Sequence, residues 1–339
     1  MTLTGTGALR RVRVLGVGAL AVVVALTAFG GSAAGAPAKH HRAMLDTITL
    51  DTLPISNALP LTLGINKGYF AKQGIEIKVN VLQSGNDIVL ALANKQADIG
   101  YVGYVPMMIA ATTGIDVALV AASEVEGTSV DDNWQNIMVK GSSSIKTPAD
   151  LAGKTIAVNA LKGVGETIIK AALDKVGVDP NSIKLTPLPF PSMRAALNNG
   201  QVDAIWAPEP FVSQALNIDG DRIVMAPGPT VGKYFPNGGY VALRDWTTHH
   251  PGLAKRFRTA MNISLLRAQK HPEDIRPLLP AGTGGIRLPI WSPLIDRKQI
   301  PVLAKYAMKY GVIASLPNFT RVFPPVVKTG VVKAKPKKK

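Results

Sequence analysis

From Thr47 onward the chain alternates short runs of period-two patterning with longer runs of helical patterning. "TITLDTL" and "IEIKVNVL" put apolar residues at alternate positions and predict strands over 47–53 and 75–82. Between them Pro60 to Gln73 predicts a helix stopped at Gly74. "QSGND" reads as a turn and helix cap, opening a helix over Asp87–Lys95 with Ile88, Val89 and Leu92 on one face. "ADIGYV" and "VALVAAS" predict two further strands. A second series starts after Lys140. It holds a capped helical turn, a buried strand over Thr155–Val158 and a helix over Glu166–Val176 ended by Gly177. The strand "IKLTPLPF", a helix over Met193–Asn199 and the strands "VDAIWA" and "DRIVMA" follow. "NGGYVALRDW" then breaks the pattern, and helices over Pro251–Lys270 and Gln299–Tyr310 flank a stretch rich in glycine and proline.

Strand-helix-strand order of this kind predicts α/β lobes, each a mostly parallel sheet flanked by helices. Two such lobes follow one another, and the closing helices return to cover the first. The expected division is lobe 1 over 46–140 plus 240–323 and lobe 2 over 141–239. The chain would then cross between lobes near Val139–Ser143 and near Gly238–Val241, a two-strand hinge. One device occurs twice: "ALANKQADIGYVGYVP" over 91–106 and "ALNNGQVDAIWAPEPF" over 196–211. Each is a helix end, a tight turn, Gln-x-Asp, a short buried run and a loop containing proline. Ligands in open parallel sheets sit outside the carboxyl ends of strands, so two facing lobes would point both loops into one cleft.

Composition narrows the function. At 47% hydrophobic over 339 residues the chain can bury the cores of two lobes. It has no cysteine, which removes disulfides, thiolate metal sites, Cys nucleophiles and a lipid-carrying Cys. Arg10, Arg11 and Arg13, the apolar run Val14–Phe29 and the small residues up to Ala36 or Ala38 read as a secretory signal over 1–38. The alternative is an uncleaved anchor. A periplasmic or secreted location follows. The net charge is +16, but nine of those charges are Arg10, Arg11, Arg13, Lys328, Lys333, Lys335, Lys337, Lys338 and Lys339, which leaves +7 for the body. That balance removes most of the support for a nucleic-acid partner. Residues 324–339 are expected to form a basic, disordered tail.

At "NKGYFAKQGIEIKV" (66–79), "QADIGYVG" (96–103), "SIKTPADLAGKTIAV" (144–158), "ALNNGQVDAIWAPEPF" and "HHPGLAKRF" (249–257) the chain resembles the solute-binding proteins of ABC importers. The resemblance is to the nitrate, sulfonate, taurine and thiamine-pyrimidine-like family. It spans roughly Thr47 to Phe323. It implies the two-lobed periplasmic-binding-protein fold of type II and a monomer that closes on a small-molecule ligand. It also implies partners: the membrane permease and ATPase subunits of an importer. Within that likeness "SEVEGTSVDDNWQN" (123–136) is long and polar. It either adds Asn133 or Trp134 to the cleft or forms a surface loop.

The binding candidates stand at strand exits. Ser56 and Asn57 follow the first strand and act as a helix cap, or as cap and ligand contact together. Ser84 offers a hydroxyl, and Gly85 lets backbone approach a ligand. Gly103 allows the same approach, with Tyr104 as a ring wall and Tyr101 packed inward. "NALKGVGET" opens a helix, so Asn159, Gly163 and Val164 bring amide groups toward an anion. Lys162 stands at the rim. The stretch lacks the Lys-Ser/Thr ending of a phosphate loop and is no nucleotide site. Trp206 covers a flat or apolar part of the ligand. Glu209 either accepts from a ligand amine or forms a salt bridge across the hinge. Arg194 is a possible anion partner.

No catalytic residue, metal or cofactor is expected. His40 and His41 lie by the cleavage zone, His249–His250 at a helix start and His271 at a helix end, none with zinc spacing. Asp98 and Asp203 suit turn-capping better than acid-base work. The ligand expected is a small organic anion, with an amine-bearing or heteroaromatic compound as the alternative.

Overall fold

The computed structural model describes residues 44–328 and 330. The expected signal lies outside the described residues, as does most of the basic tail. The part of that tail that is described is packed: Val327 is buried, and Lys328 accepts from the Ile295 amide over 3.1 Å.

Eleven strands build two sheets among the described residues. In chain order they are β1 (Asp46–Thr52), β2 (Ile75–Val81), β3 (Ile99–Gly103), β4 (Val117–Val125), β5 (Gln135–Val139) and β6 (Thr155–Val158), then β7 (Lys184–Pro187), β8 (Ala204–Pro208), β9 (Arg222–Met225), β10 (Pro236–Leu243) and β11 (Ile290–Trp291). The first sheet runs β11-β4-β10-β3-β1-β2 and the second β7-β6-β8-β5-β9. Apart from the edge strand β11 the two orders superpose, with β1 matching β6, β2 matching β7, β3 matching β8, β10 matching β5 and β4 matching β9. Each sheet has three parallel strands, followed by one that enters from the other half and runs antiparallel.

The sheets are mostly parallel, as expected: β1 to β4 share one direction in the first sheet and β6 to β9 share one in the second, while β10, β5 and the edge strand β11 run against their neighbours. A strand arriving from the far side of the molecule meets its sheet from the opposite end, so it runs against its neighbours. The crossings lie earlier than expected, at 126–134 and 226–235, because β5 already belongs to the second sheet. They are bonded to each other: the Glu126 amide donates to the Phe235 carbonyl over 2.8 Å, and the Tyr234 amide to Gly127 over 3.2 Å.

Helices α1 (Leu59–Asn66), α2 (Gly85–Ala93) and α3 (Tyr104–Thr112) connect strands of the first half. In the second half α4 (Val164–Lys175), α5 (Phe190–Asn198), α6 (Phe211–Ile218) and α7 (Pro227–Val231) do so. Then α8 (Arg244–His249), α9 (Pro251–Lys270) and α10 (Ile300–Lys309) close the chain. Helix α9 packs on elements of the first half, α1 and β4. Helix α9 buries Phe257 against Tyr240 and Phe70, with ring centroids 5.6 Å apart in both pairs. Helix α10 touches both halves, packing on α3 and α4. Lys309 pairs with Asp174 over 2.6 Å, and the Tyr310 hydroxyl donates to the same carboxylate over 3.0 Å.

Candidate functional site

Strand exits of the two halves meet at one cleft. Gly85, Asn86, Tyr101 and Gly103 line it from the first half, and Asn159, Gly163, Val164 and Trp206 from the second. Trp134, Gln135 and Asn237, beside the crossings, close its floor. The walls touch. The Asn86 carboxamide donates to the Leu161 carbonyl over 3.3 Å, and the Ser56 amide to the Glu209 carbonyl over 2.9 Å. A Cβ on Gly103 would lie 2.3 Å from a methyl of Val164, so only glycine permits this approach. The remaining cavity is about 40 Å³, and a solute larger than a water or two enters only if the walls part.

Among the described residues no Lys or Arg lines the cleft. Positive potential comes from backbone. Helices α3 and α4, from opposite halves, both open on a glycine N-cap, Gly103 and Gly163. Glycine has no side-chain acceptor, so first-turn amide groups stay available to a ligand, and the helix dipoles favour an anion there. The Trp206 ring lines the same wall, with its indole N–H sealed and without a partner.

Of the residues expected here, Gly85, Gly103, Asn159, Gly163, Val164 and Trp206 line the cleft. Five stand elsewhere. Ser56 and Asn57 are buried in a short 3-10 turn behind the wall and make no cap bond, that turn being preceded by Ile55. Asn57 lies beside Tyr101 and Glu124. Ser84 caps α2, accepting from the Asp87 amide over 3.1 Å, and so is occupied. Tyr104 turns away, since it begins α3 instead of ending β3, and it meets Phe323 edge-on at 5.3 Å. Tyr101 takes the place expected of Tyr104.

Glu209 is a structural residue. Its carboxylate accepts from the Ser213 amide (2.9 Å) and hydroxyl (2.8 Å) and from the Arg287 amide (3.2 Å). Among the described residues it forms no salt bridge; its backbone does the bridging, to Ser56 and to the Trp134 carbonyl over 2.7 Å. Arg194 pairs with Asp219 over 2.6 Å and is not free for an anion. Lys162 is exposed. The polar stretch 123–136 divides in two: Trp134 enters the cleft, whereas Asn133 is buried and accepts from the Gly127 amide over 2.8 Å.

Sequence reasoning passed over Gln135, Asn237 and the two carboxyl groups behind them, Glu124 and Glu126. Both acids are buried. Glu124 accepts from the Tyr101 hydroxyl over 2.5 Å, and burial pushes its carboxyl up to about 6. Glu126 accepts from Gln135 and from Asn237, and burial pushes it up to about 8. The signal was present: two acids at alternate positions close an otherwise apolar strand, "VALVAASEVE".

A family profile described as NMT1/THI5 like matches residues 55–275. The taurine-binding periplasmic protein of Escherichia coli (strain K12) is 29% identical over 207 residues, 60% of this chain and 61% of that protein. The chain thus spans about three fifths of the length of that curated relative. Two solved structures share the fold. The alkanesulfonate-binding protein SsuA of Xanthomonas axonopodis pv. citri bound to MOPS superposes with a TM-score of 0.66 at 21% identity, over 83% of this chain and 96% of that one. The periplasmic nitrate-binding protein NrtA of Synechocystis PCC 6803 gives 0.68 at 15%, over 84% and 87%. Two matched α/β halves, a cleft between them and a family profile over most of the described chain agree: the chain belongs to the NMT1/THI5-like family.

Proposed function

We propose that this chain is the extracytoplasmic solute-binding component of an ABC importer, capturing a small organic anion of the sulfonate, taurine or nitrate kind. One observation carries the reading. Two helices from opposite halves bring glycine-capped N-termini to one cleft that no cationic side chain among the described residues lines. An anion there gains N–H donors from both halves at once, so it stabilises the closed form over the open one. Movement is confined to the crossings at 126–134 and 226–235. The closed monomer then docks on a membrane permease whose ATPase subunits supply the energy. Its place is periplasmic or secreted. The chain is a binder and not an enzyme. Asp98 and Asp203, the one carboxylate pair considered for acid-base work, each accept from a strand amide.

The second reading, an amine-bearing or heteroaromatic ligand, draws on the Phe190–Trp206 ring pair and on the two buried acids behind the floor.

Thermal-shift screening followed by calorimetry tests the choice, with sulfonates, taurine, nitrate, pyrimidines and aromatic acids. A sulfonate or taurine bound in the micromolar range, about −8 kcal/mol, and weakened at least tenfold in Trp206→Phe, is the expected result. Binding of pyrimidines alone would favour the second reading, and binding unaffected by Trp206→Phe would move the site elsewhere.

A further inference from the structure

The cleft floor is built where the two crossings meet. Tyr101, Gln135 and Asn237 line it, and each is bonded on its far side to a buried carboxyl group. The carboxamides of Gln135 and Asn237 donate to one and the same oxygen of Glu126, Asn237 over 2.7 Å. Gln135 comes from β5 in the second sheet and Asn237 from β10 in the first, so a single carboxyl group fixes a side chain from each half. Glu126 is held from behind as well. Gly228 packs against it so closely that a Cβ there would lie 2.3 Å from the carboxyl carbon.

A carboxamide has two ends, and fixing one aims the other. With their N–H groups on Glu126, the side-chain oxygens of Gln135 and Asn237 are free acceptors, and neither is among the sealed, unpartnered atoms. Protonation of Glu126 does not undo this. One proton can serve only one amide oxygen, so at least one carboxamide keeps its N–H inward and its oxygen toward the cleft.

We propose that Glu126 is a positioning residue that gives the floor its polarity, so that the bound solute presents an amino or ammonium group to Gln135 and Asn237 and its anionic group to α3 and α4. The inference rests on reading the cleft as a sulfonate site and narrows it to amino-alkanesulfonates. The acceptors of the floor oppose a ligand that brings no donor, because its presence strips them of water without replacing the hydrogen bonds.

The test is titration calorimetry of the exported chain with taurine and with ethanesulfonate, which lacks the amine. Wild type is expected to bind taurine at least about tenfold more tightly. Glu126→Gln can accept from only one of the two amides without strain and is expected to bring the two affinities within about threefold of each other. A merely structural role would weaken both ligands together and leave their ratio unchanged. Gln135→Met keeps the volume, removes one floor acceptor and is expected to lower the ratio with Glu126 intact. Equal binding of both compounds to wild type, or an unchanged ratio in both variants, overturns the inference and leaves the sulfonate reading standing. Failure of wild type to bind either compound overturns both.

Discussion

The stretches 91–106 and 196–211 fold into one device built twice, and they part only at the cleft. In each a left-handed residue, Lys95 (φ 57°) or Gly200 (φ 70°), ends the helix, and the next amide turns back onto it over 2.9 Å. In each an aspartate accepts from the neighbouring parallel strand: the Thr49 amide donates to Asp98, and the Thr155 amide to Asp203, both over 2.8 Å. Counting on from those aspartates, Tyr101 stands opposite Trp206, and Gly103 opposite Pro208. All four line the cleft. Tyr104 and Glu209 come next, and both are buried outside it. The difference lies in what backs each ring. Tyr101 is tied to Glu124, while the Trp206 N–H has no partner. The first ring is held by a side-chain hydrogen bond; the second is held by packing, against Phe190.

The most severe way to break this equivalence is to remove the ring that is not tied. Trp206→Ala opens a cavity in the second half and is expected to lower stability by about 3–5 kcal/mol in urea unfolding. A loss below about 1 kcal/mol would mean that Trp206 is not part of the core. Tyr101→Phe keeps its ring but leaves Glu124 without its tyrosine donor, an expected loss of about 1–3 kcal/mol.

Buried acids stand in both halves, Glu124 and Glu126 in the first and Glu209 and Asp221 in the second, and burial raises all four; those behind the first wall can be separated by pH. Burial raises Glu124 to about 6 and Glu126 to about 8, so the folded state holds their protons more tightly than the unfolded chain does. Their contribution is whole below the ordinary glutamate range. It is lost as pH rises through about 6 and then about 8. The charge of Glu124 raises Glu126 further. The melting temperature should therefore fall between pH 5 and pH 8.5 by calorimetry, and Glu126→Gln should flatten the upper part of that fall. An equal slope in wild type and variant would place the titration elsewhere.

The repeated device, the order of most strands and the return of the closing helices to the first half were all legible, because each rests on patterning over many residues. Two elements were not. Helix α3, "YVPMMIAAT", has its proline in the first turn, where no intrahelical N–H is needed, yet the proline suggested a loop. Strand β5 is five residues long and buried throughout, so it lacks the alternation that marks a half-exposed strand, and the polar run before it masked it. Losing β5 moved the crossings and hid Gln135. In the site, the glycines and Trp206 were found because strand exits are fixed by the fold. Composition alone favours Tyr104 over Tyr101; counting in step from Asp98 and Asp203 sets Tyr101 level with Trp206.

A smaller effect checks the device itself. Asp98→Ala and Asp203→Ala each remove one acceptor from a strand amide and are expected to cost about 1 kcal/mol. If the devices are equivalent, the two losses agree within about 0.5 kcal/mol in urea unfolding. A loss in one half alone would show that the match is one of sequence and not of load.

The smallest expected effect separates the two tyrosines of the first device. Tyr104 lies behind the wall, its ring edge-on to Phe323, and among the described residues no hydrogen bond ties its hydroxyl. Deleting that hydroxyl leaves no group stranded, so Tyr104→Phe should change stability by less than about 0.5 kcal/mol and leave ligand affinity as it was. At Tyr101 the same single-atom change strips a buried carboxyl of a donor. Because the two substitutions are chemically identical and three positions apart, global effects of losing a phenol cancel between them. What remains is the question of which tyrosine faces the cleft. A Tyr104→Phe protein that binds several-fold more weakly while Tyr101→Phe binds normally would reverse the assignment, and with it the register that sets Tyr101 opposite Trp206.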